Sequence, residues 1–163
     1  MEEFDAIIIG SGQGGNPLAE ALIAVGKKTA MIERQDVGGT CINRGCSPTK
    51  TMVASARVAY LAGRGADYGV RTGPVTVDMG RVRERKRAIV SSFRQSREKR
   101  LEKLKADLIR GEASFTGPKE LRVALNDGGE RLLRAAQIFI DTGTRSARPA
   151  IAGLDTVDRK SVV

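Results

Sequence analysis

The sequence has no histidine and no tryptophan, only two cysteines, and 4% aromatic residues among 163 positions. Without histidine, two thiolates do not complete the four-ligand set of a tetrahedral zinc site, so a metal centre is a poor explanation of the cysteines. Few aromatic side chains also weaken the case for a surface that stacks nucleic-acid bases. Metal binding and base stacking are therefore disfavoured before any motif is considered.

Long hydrophobic runs are lacking as well. The chain begins MEEFDAIIIG, and its acidic residues and short apolar run fit neither a basic-led signal peptide nor a membrane span. We therefore expect a cytoplasmic protein without a membrane partner. In a reducing compartment, two cysteines are more typical of catalysis, redox sensing or inert packing than of a purely structural disulfide.

The net charge of +9 is concentrated in one segment, since Arg81–Lys105 holds eleven basic and three acidic residues. Apolar residues at helical spacing predict a long amphipathic helix over Asp78–Leu108. A solvated basic face is the favoured interpretation, and a basic nucleic-acid-binding domain is the alternative. The predicted apolar face carries Val82, Ile89, Val90, Phe93, Leu101, Leu104 and Leu108.

The N-terminal third has the pattern of a βαβ unit. A buried strand is predicted at FDAIIIG, and the next residues, GSGQGG, match G-x-G-x-x-G at Gly10, Gly12 and Gly15. A helical pattern then runs to Val25. A second strand is predicted at KTAMIE and ends at Glu33. A glycine turn placed between a strand and a helix predicts a dinucleotide-binding site. A similar turn in an unrelated α/β protein is the alternative.

The glycines and the acid have separate physical roles in such a site. Gly10 permits the tight turn, Gly12 lets the backbone approach a pyrophosphate, and Gly15 lets the helix pack closely on the strand. Glu33 lies twenty-three residues after Gly10, where an acceptor for both hydroxyls of an adenosine ribose belongs. The motif alone does not choose between FAD and NAD.

Both cysteines lie in GGTCINRGCSPTK, residues 38–50. A regular helix cannot carry a bridge between Cys41 and Cys46, because a five-residue step turns about 140° out of register. The backbone between them must bend, and Gly45 permits this. The Ser-Pro pair at 47–48 predicts a helix start, whose positive end, with Lys50, would favour a Cys46 thiolate. Two inert core cysteines remain the alternative at this point.

The rest of the chain alternates helical and strand patterns. TMVASARVAYLAG predicts a helix that ends at the break over Gly63–Gly65, and VTVD predicts a short strand. After the basic helix, ADLIRGEASFTG, KELRVALNDGGERLL and AAQIFIDTG alternate short β-runs with turns and predict antiparallel pairing, with a hairpin at NDGG between two of the runs.

The cysteine stretch is similar to a fixed pattern, G-G-T-C-x-N-x-G-C-x-P-[SK]-K, and agrees with it at Gly38, Gly39, Thr40, Cys41, Asn43, Gly45, Cys46, Pro48 and Lys50. With the earlier glycine motif and a late Thr142-Gly143 pair, the chain resembles the flavin-dependent pyridine nucleotide-disulphide oxidoreductases. The resemblance implies an α/β fold, namely a Rossmann-like FAD-binding domain with a parallel sheet, a long helical excursion and a small antiparallel β-meander.

The resemblance also implies roles for individual residues. Cys41 and Cys46 would form a redox-active disulfide, in which Cys41 attacks the substrate, Cys46 contacts the flavin, and Lys50 lies near the flavin N5 edge. Electrons would pass from NAD(P)H, bound outside this chain, through FAD and the disulfide to a disulfide or thiol-reactive small substrate. The implied FAD contacts are Gly10, Gly12, Gly14, Gly15, Glu33, Gly39, Thr40, Lys50, Ala113, Thr142 and Gly143.

The sequence lacks parts that the family uses. There is no second glycine motif for NAD(P) and no histidine to serve as the acid–base group. We therefore expect residues 1–157 to be the N-terminal part of an FAD-binding domain, without the NAD(P) and dimer-interface domains, and inactive alone in full turnover. The full-length enzyme would be a homodimer. Residues 158–163 are expected to be a non-native tail, since a sequencing adapter can encode them.

The sequence departs from the pattern at Arg44 and Thr49. With these residues it is most similar to dihydrolipoamide-dehydrogenase-like or mercuric-reductase-like members of the family, and the departures do not identify the substrate. Two other interpretations stay open at this point. One is an FAD- or nucleotide-binding module without turnover, and the other is a thiol redox sensor that uses the cysteines without flavin.

Overall fold

The computed structural model describes residues 1–147 and 149–156, so the tail predicted at 158–163 lies outside the described residues. Within them the strands are β1 (Glu2–Ile9), β2 (Thr29–Glu33), β3 (Asp107–Gly117), β4 (Glu120–Leu125) and β5 (Glu130–Ile140). The α-helices are α1 (Gly15–Ala24), α2 (Gly39–Asn43), α3 (Cys46–Gly63) and α4 (Met79–Lys103), with 3-10 turns at Gly65–Tyr68 and Leu154–Thr156.

A parallel layer of four strands holds the functional end of the molecule. Its spatial order is β3–β2–β1–β5, as in a Rossmann-like half, and all three pairings are parallel. The apolar runs in β1 and β2 follow from burial on both faces, because Ile7 packs into the cluster on one side and Ile8 into the cluster on the other. The predicted βαβ unit is confirmed.

The antiparallel meander is built from the same strands rather than from separate ones. β3 and β5 are each 11 residues long, and beyond the parallel layer both pair antiparallel with β4. The ladder therefore closes as a barrel, β1–β2–β3–β4–β5. ERLL and AAQIFI, expected as two short runs, form the single strand β5, while the predicted hairpin at NDGG is confirmed between β4 and β5.

The interior of the barrel supplies the main core. Fully buried side chains from all five strands meet there, and the cluster comprises Phe4, Ile7, Ala30, Ile32, Ile109, Leu121, Val123, Leu133 and Ala135. A second cluster on the outer face of the parallel layer joins α1 to the end of α4 through Ala19 and Leu101. The far end of the basic helix is thereby anchored against α1 and the sheet.

The basic helix is shorter and more exposed than expected. Asp78 caps α4 by accepting hydrogen bonds from the amides of the first turn, and the helix ends at Lys103 rather than at Leu108. Lys105 takes a left-handed conformation with φ of 57°, which stops the helix and turns Leu108 into β3. Val90 and Leu101 are the buried residues of α4, and Phe93, expected on the same apolar face, is 49% exposed.

The strand predicted at VTVD, residues 75–78, is absent, since these residues carry no strand pairing. Every strand of the closed ladder already has two neighbours, so the sheet has no free edge on which this segment could pair. Val75 and Val77 are accordingly exposed.

Arg131 joins three strands and provides a test of the closed ladder. From β5 it donates to Glu2 Oε1 on β1 at 2.7 Å and to Asp107 Oδ2 on β3 at 2.7 Å. Arg131→Gln is expected to lower the free energy of unfolding by about 1 kcal/mol in urea titrations, since bidentate networks exceed single surface pairs. Arg122→Gln, which removes a pair 3.7 Å apart, should change it little.

The same variant has an expected pH dependence. The hydrogen bond from Arg131 lowers the pKa of Glu2, so this interaction stabilises the folded chain above the normal carboxyl pKa and is lost as the pH falls through the lowered value. The stability difference between the wild-type chain and Arg131→Gln should therefore shrink in acid. A difference that stays constant down to acid pH would contradict this role of Glu2.

Candidate active site

The glycine loop between β1 and α1 is a turn that only glycine can make at two positions. Gly10 has φ of 108°, and a Cβ there would collide with the carbonyl oxygen of Asp141. A Cβ at Gly15 would collide with the carbonyl oxygen of Gly10 and would come within 3.2 Å of Ile8. The N-terminus of α1 is therefore held close to the end of β1, with its positive end at the edge of the parallel layer.

Glu33 ends β2 beside this loop. Its Oε2 accepts hydrogen bonds from the Ser11 amide at 3.1 Å and from Ser11 Oγ at 2.6 Å, while Oε1 accepts from the Gln35 amide at 2.8 Å. The carboxylate is thus fixed at the end of the loop, as the sequence motif predicts. Ser11, which orients it, has no role in the sequence analysis.

Asp141 is a site residue that the sequence analysis did not identify. It follows β5 directly, its amide donates to the carbonyl of Ile9 at 2.8 Å, and its Oδ2 accepts from the Gly15 amide at 2.6 Å. The available signal was its position, because the carboxyl end of any strand beside β1 reaches the glycine loop. Using that signal required knowing that β5 is the neighbour of β1.

The cysteine stretch folds as two helices with a bend between them. α2 carries Cys41, α3 begins at Cys46, and the break falls at Arg44 and Gly45, as the spacing predicts. Ser47 is not the cap of α3. Gly45 occupies the N-cap position, without a side-chain cap, and its carbonyl accepts the hydrogen bond from the Thr49 amide.

The cysteine stretch lies directly on the glycine loop. Gly38 and Gly39 have φ of 101° and 62°, and a Cβ on Gly39 would lie 2.7 Å from the Cα of Gly12. The Gly38 amide also donates to the carbonyl of Ser11 at 3.0 Å. This backbone-to-backbone contact brings the two sequence motifs into one site.

Asn43 fixes the shape of the stretch from behind. Its Nδ2 donates to the carbonyls of Val37 and Gly39, both at 3.0 Å, and its Oδ1 accepts from Arg94 Nε on α4 at 3.0 Å. The Arg94 guanidinium also pairs with Asp36 Oδ1 at 2.9 Å. One amide side chain thus closes α2 and attaches it to the basic helix.

The two cysteines are free thiols and hydrogen-bond neighbours. Cys41 is half-buried and Cys46 is exposed. The hydrogen bond with Cys46, together with burial, raises the pKa of the Cys41 thiol, and the positive charge of Lys50 opposes this only weakly. The pair is therefore chemically asymmetric, with the thiolate form disfavoured at Cys41.

A cleft of ≈ 550 Å³ runs along the carboxyl edge of the parallel layer. Three residues without a predicted role line its walls, namely Ser11, Arg44 and Asp141. Three residues that were predicted for the site, Gly15, Cys46 and Lys50, do not line it. Cys46 and Lys50 instead lie exposed on the first turns of α3. The predicted residues that line the cleft are Gly10, Gly12, Gly14, Glu33, Gly39, Thr40, Cys41, Ala113, Thr142 and Gly143.

Two absences apply to residues 1–147 and 149–156. No group of three or more cysteine, aspartate and glutamate side chains there is arranged to hold a metal ion. No helix in the same residues is long and apolar enough to cross a membrane.

The sequence profile described as pyridine nucleotide-disulphide oxidoreductase matches residues 4–162. The chain belongs to this family. It is 36% identical over 160 residues to a dihydrolipoyl dehydrogenase from Chlorobaculum parvum, which covers 98% of this chain and 34% of that protein. It is 38% identical over 157 residues to a mercuric reductase from Staphylococcus aureus, which covers 96% of this chain and 28% of that protein.

A solved structure agrees with the family assignment. The Cu(II) complex of the HOCl-induced flavoprotein disulfide reductase RclA from Escherichia coli aligns with a TM-score of 0.77 and 33% identity, covering 96% of this chain and 32% of that one. The chain therefore spans about a third of the length of the relatives it matches. The family assignment and the Rossmann-like fold implied by the cysteine and glycine motifs are both confirmed.

Members of the pyridine nucleotide-disulphide oxidoreductase family use FAD, with NAD(P)H as substrate. The residues present fit such a cofactor. The backbone tolerates no Cβ at Gly10 or Gly39. The amides of Gly12, Gln13 and Gly14 have no hydrogen-bond partner among the described residues and could bind a pyrophosphate, and Glu33 offers two carboxylate oxygens at the other end of the cleft. Glu33 could hold the ribose of the adenosine, and Gly12 and Thr40 could hold the pyrophosphate.

The asymmetry of the thiols predicts an order of alkylation in the reduced chain without cofactor. At about pH 8, iodoacetamide should modify exposed Cys46 faster than half-buried Cys41, because the raised pKa of Cys41 leaves less thiolate. Peptide mass spectrometry against time measures both rates.

Cys46→Ala tests the cause of that order. It removes the hydrogen bond that raises the pKa of Cys41, so the pH–rate profile of Cys41 alkylation should move to lower pH. Ser47→Ala, the neighbouring residue on α3, should leave the profile in place. An unmoved profile in Cys46→Ala would show that burial alone sets the reactivity of Cys41.

Proposed function

We propose that this chain is the N-terminal FAD-binding and redox-active part of a longer flavin-dependent NAD(P)H:disulfide oxidoreductase, with the FAD-binding unit at residues 1–157. The observation that carries the proposal is the contact of Gly39 with the Cα of Gly12. Because of this contact, Cys41 and the ribose-binding Glu33 line the same cleft. A nucleotide-binding loop and one thiol of the cysteine pair in the same cleft are the two parts that such an electron transfer needs.

The proposed roles divide along the cleft. Glu33 would accept both hydroxyls of the adenosine ribose, and its negative charge would repel the 2′-phosphate of NADP(H). The amides of the glycine loop, with Thr40, would hold the pyrophosphate at the N-terminus of α1. Ala113 on β3 and the Thr142-Gly143 segment line the remaining walls, toward adenine and flavin respectively.

Bound FAD would supply two-electron chemistry, which connects hydride transfer from NAD(P)H to disulfide reduction. The chain's own contribution is a pair of thiols that hydrogen-bond to each other across the bend at Gly45, which would form the redox-active disulfide when oxidised. From the family resemblance we assign attack on the substrate to Cys41 and flavin contact to Cys46, although in this chain it is Cys41 that lines the cleft. Lys50, one turn into α3, adds positive charge near the pair.

The substrate class follows from thiol chemistry and from the relatives. A dihydrolipoyl dehydrogenase, a mercuric reductase and a Cu(II) complex of a disulfide reductase all act on, or bind, species that react with sulfur. We therefore propose a small disulfide, dithiol or thiophilic metal ion as the substrate of the full enzyme. That enzyme would be a cytoplasmic homodimer whose NAD(P) site and acid–base group lie outside this chain.

The proposal predicts flavin binding by the purified chain. After incubation with FAD and gel filtration, visible flavin absorbance should co-elute with the protein, and NADH should not bleach it, because the NAD(P) site lies elsewhere. Absence of flavin from the protein peak, with reversible oxidation of the thiols intact, would instead support a flavin-independent thiol sensor. Bleaching by NADH would contradict the expected lack of turnover.

Glu33→Ala tests the orientation of the cofactor. Loss of two hydrogen bonds to a charged acceptor should weaken FAD binding by about tenfold or more, measured by quenching of flavin fluorescence. Glu130→Gln, an exposed acid in the hairpin, is the control and should bind FAD as the wild-type chain does. Unchanged affinity in Glu33→Ala would place the ribose elsewhere.

A further inference from the structure

We propose that Asp141 lowers the affinity of this chain for FAD, by holding a negative charge at the point on the glycine loop where the pyrophosphate binds. The inference rests on the proposed FAD-binding function and concerns a residue that the family pattern does not assign. It makes Asp141 a determinant of cofactor affinity rather than a group that reacts.

The position of Asp141 is fixed by the sheet. β5 pairs with β1 up to Ile140, and the next residue donates its amide to the carbonyl of Ile9, so the backbone of Asp141 is level with the start of the turn. Its Oδ2 accepts from the Gly15 amide at 2.6 Å. Because the Asn16 amide bonds to the Gly12 carbonyl and Pro17 has no N–H, the carboxylate takes the one N–H group that the first three residues of α1 leave free.

The carboxylate also covers the loop itself. A Cβ built at Gly12, Gly14 or Gly15 would lie 3.4, 3.2 or 2.9 Å from an oxygen of Asp141. Three of the loop glycines thus face the same acidic group. Among residues 1–147 and 149–156, no arginine or lysine forms an ion pair with it, so only the positive end of α1 compensates its charge.

A pyrophosphate needs the same electrostatic environment. Phosphates bind at helix N-termini through free N–H groups and the positive end of the helix dipole, and an anion already there uses part of both. Asp141 and a bound pyrophosphate would repel each other across the loop, in a site partly shielded from solvent. The same carboxylate stabilises the turn by accepting the hydrogen bond from the Gly15 amide. Its acceptor oxygen therefore stabilises the loop, while its negative charge weakens binding of the pyrophosphate.

Asp141→Asn separates these two effects, because it keeps an acceptor oxygen and removes the charge. We expect FAD and ADP to bind Asp141→Asn about tenfold more tightly than the wild-type chain, with adenosine binding unchanged. Isothermal titration gives the affinities for ADP and adenosine, and flavin fluorescence quenching gives that for FAD. The gain should shrink as salt is raised, since screening weakens the repulsion.

Two further variants control for charge and for folding. Glu130→Gln removes an equal charge from an exposed position in the hairpin between β4 and β5, outside the cleft, and should leave ADP and adenosine binding within about twofold of the wild-type values. Asp141→Ala lacks both charge and acceptor. The ratio of ADP to adenosine affinity is read within each protein, so a partial loss of folding does not imitate the effect, and the ratio should rise in both Asp141 variants.

The outcomes separate this inference from the proposed function. If the wild-type chain binds FAD and the ADP-to-adenosine ratio does not rise in either Asp141 variant, Asp141 only supports the turn and the inference is wrong, while the FAD assignment stands. If neither the wild-type chain nor Asp141→Asn binds FAD or ADP, the FAD assignment itself fails and the inference fails with it. Binding by Asp141→Asn alone would be the strongest support.

Discussion

The contact between two glycine backbones, Gly39 on Gly12, is the constraint on which the functional site depends. Gly39 could not carry a side chain and keep this distance, because its Cβ would lie 2.7 Å from the Cα of Gly12. Because the contact is made by main chain, it fixes the cysteine stretch on the nucleotide loop more rigidly than side-chain packing would. Such pre-organisation favours electron transfer, because the thiols and the cofactor are held in position before the reaction begins.

The surrounding structure can be understood as support for that contact. Asn43 closes α2 behind the loop and attaches it to Arg94 of the basic helix, while Ser11 holds Glu33 at one end and Asp141 holds Gly15 at the other. The basic helix thereby acquires a structural role. Some of its basic side chains form ion pairs within the chain, among them Arg94 with Asp36 and Arg100 with Glu20, and these are not part of a free basic surface.

Features encoded by neighbouring residues could be predicted from the sequence, and features that depend on distant pairings could not. The strand, glycine turn and helix at the N-terminus follow from residues that touch each other along the chain. Asp141 could not be found in this way, because its partner Gly15 lies 126 positions away and the contact requires that β5 be placed beside β1. The helix period likewise continued to Leu108, while a single left-handed residue, Lys105, ended the helix.

The closed ladder has a consequence for how this chain can associate with others. Strands at a sheet edge offer unpaired amides and carbonyls, on which a second chain can add a strand, and proteins protect such edges because they lead to aggregation. In this fold each strand has both neighbours supplied by its own chain. A second copy can therefore not add a strand to this ladder, and the exposed apolar residues of α3, Val53, Val58 and Tyr60, offer a side-chain surface instead.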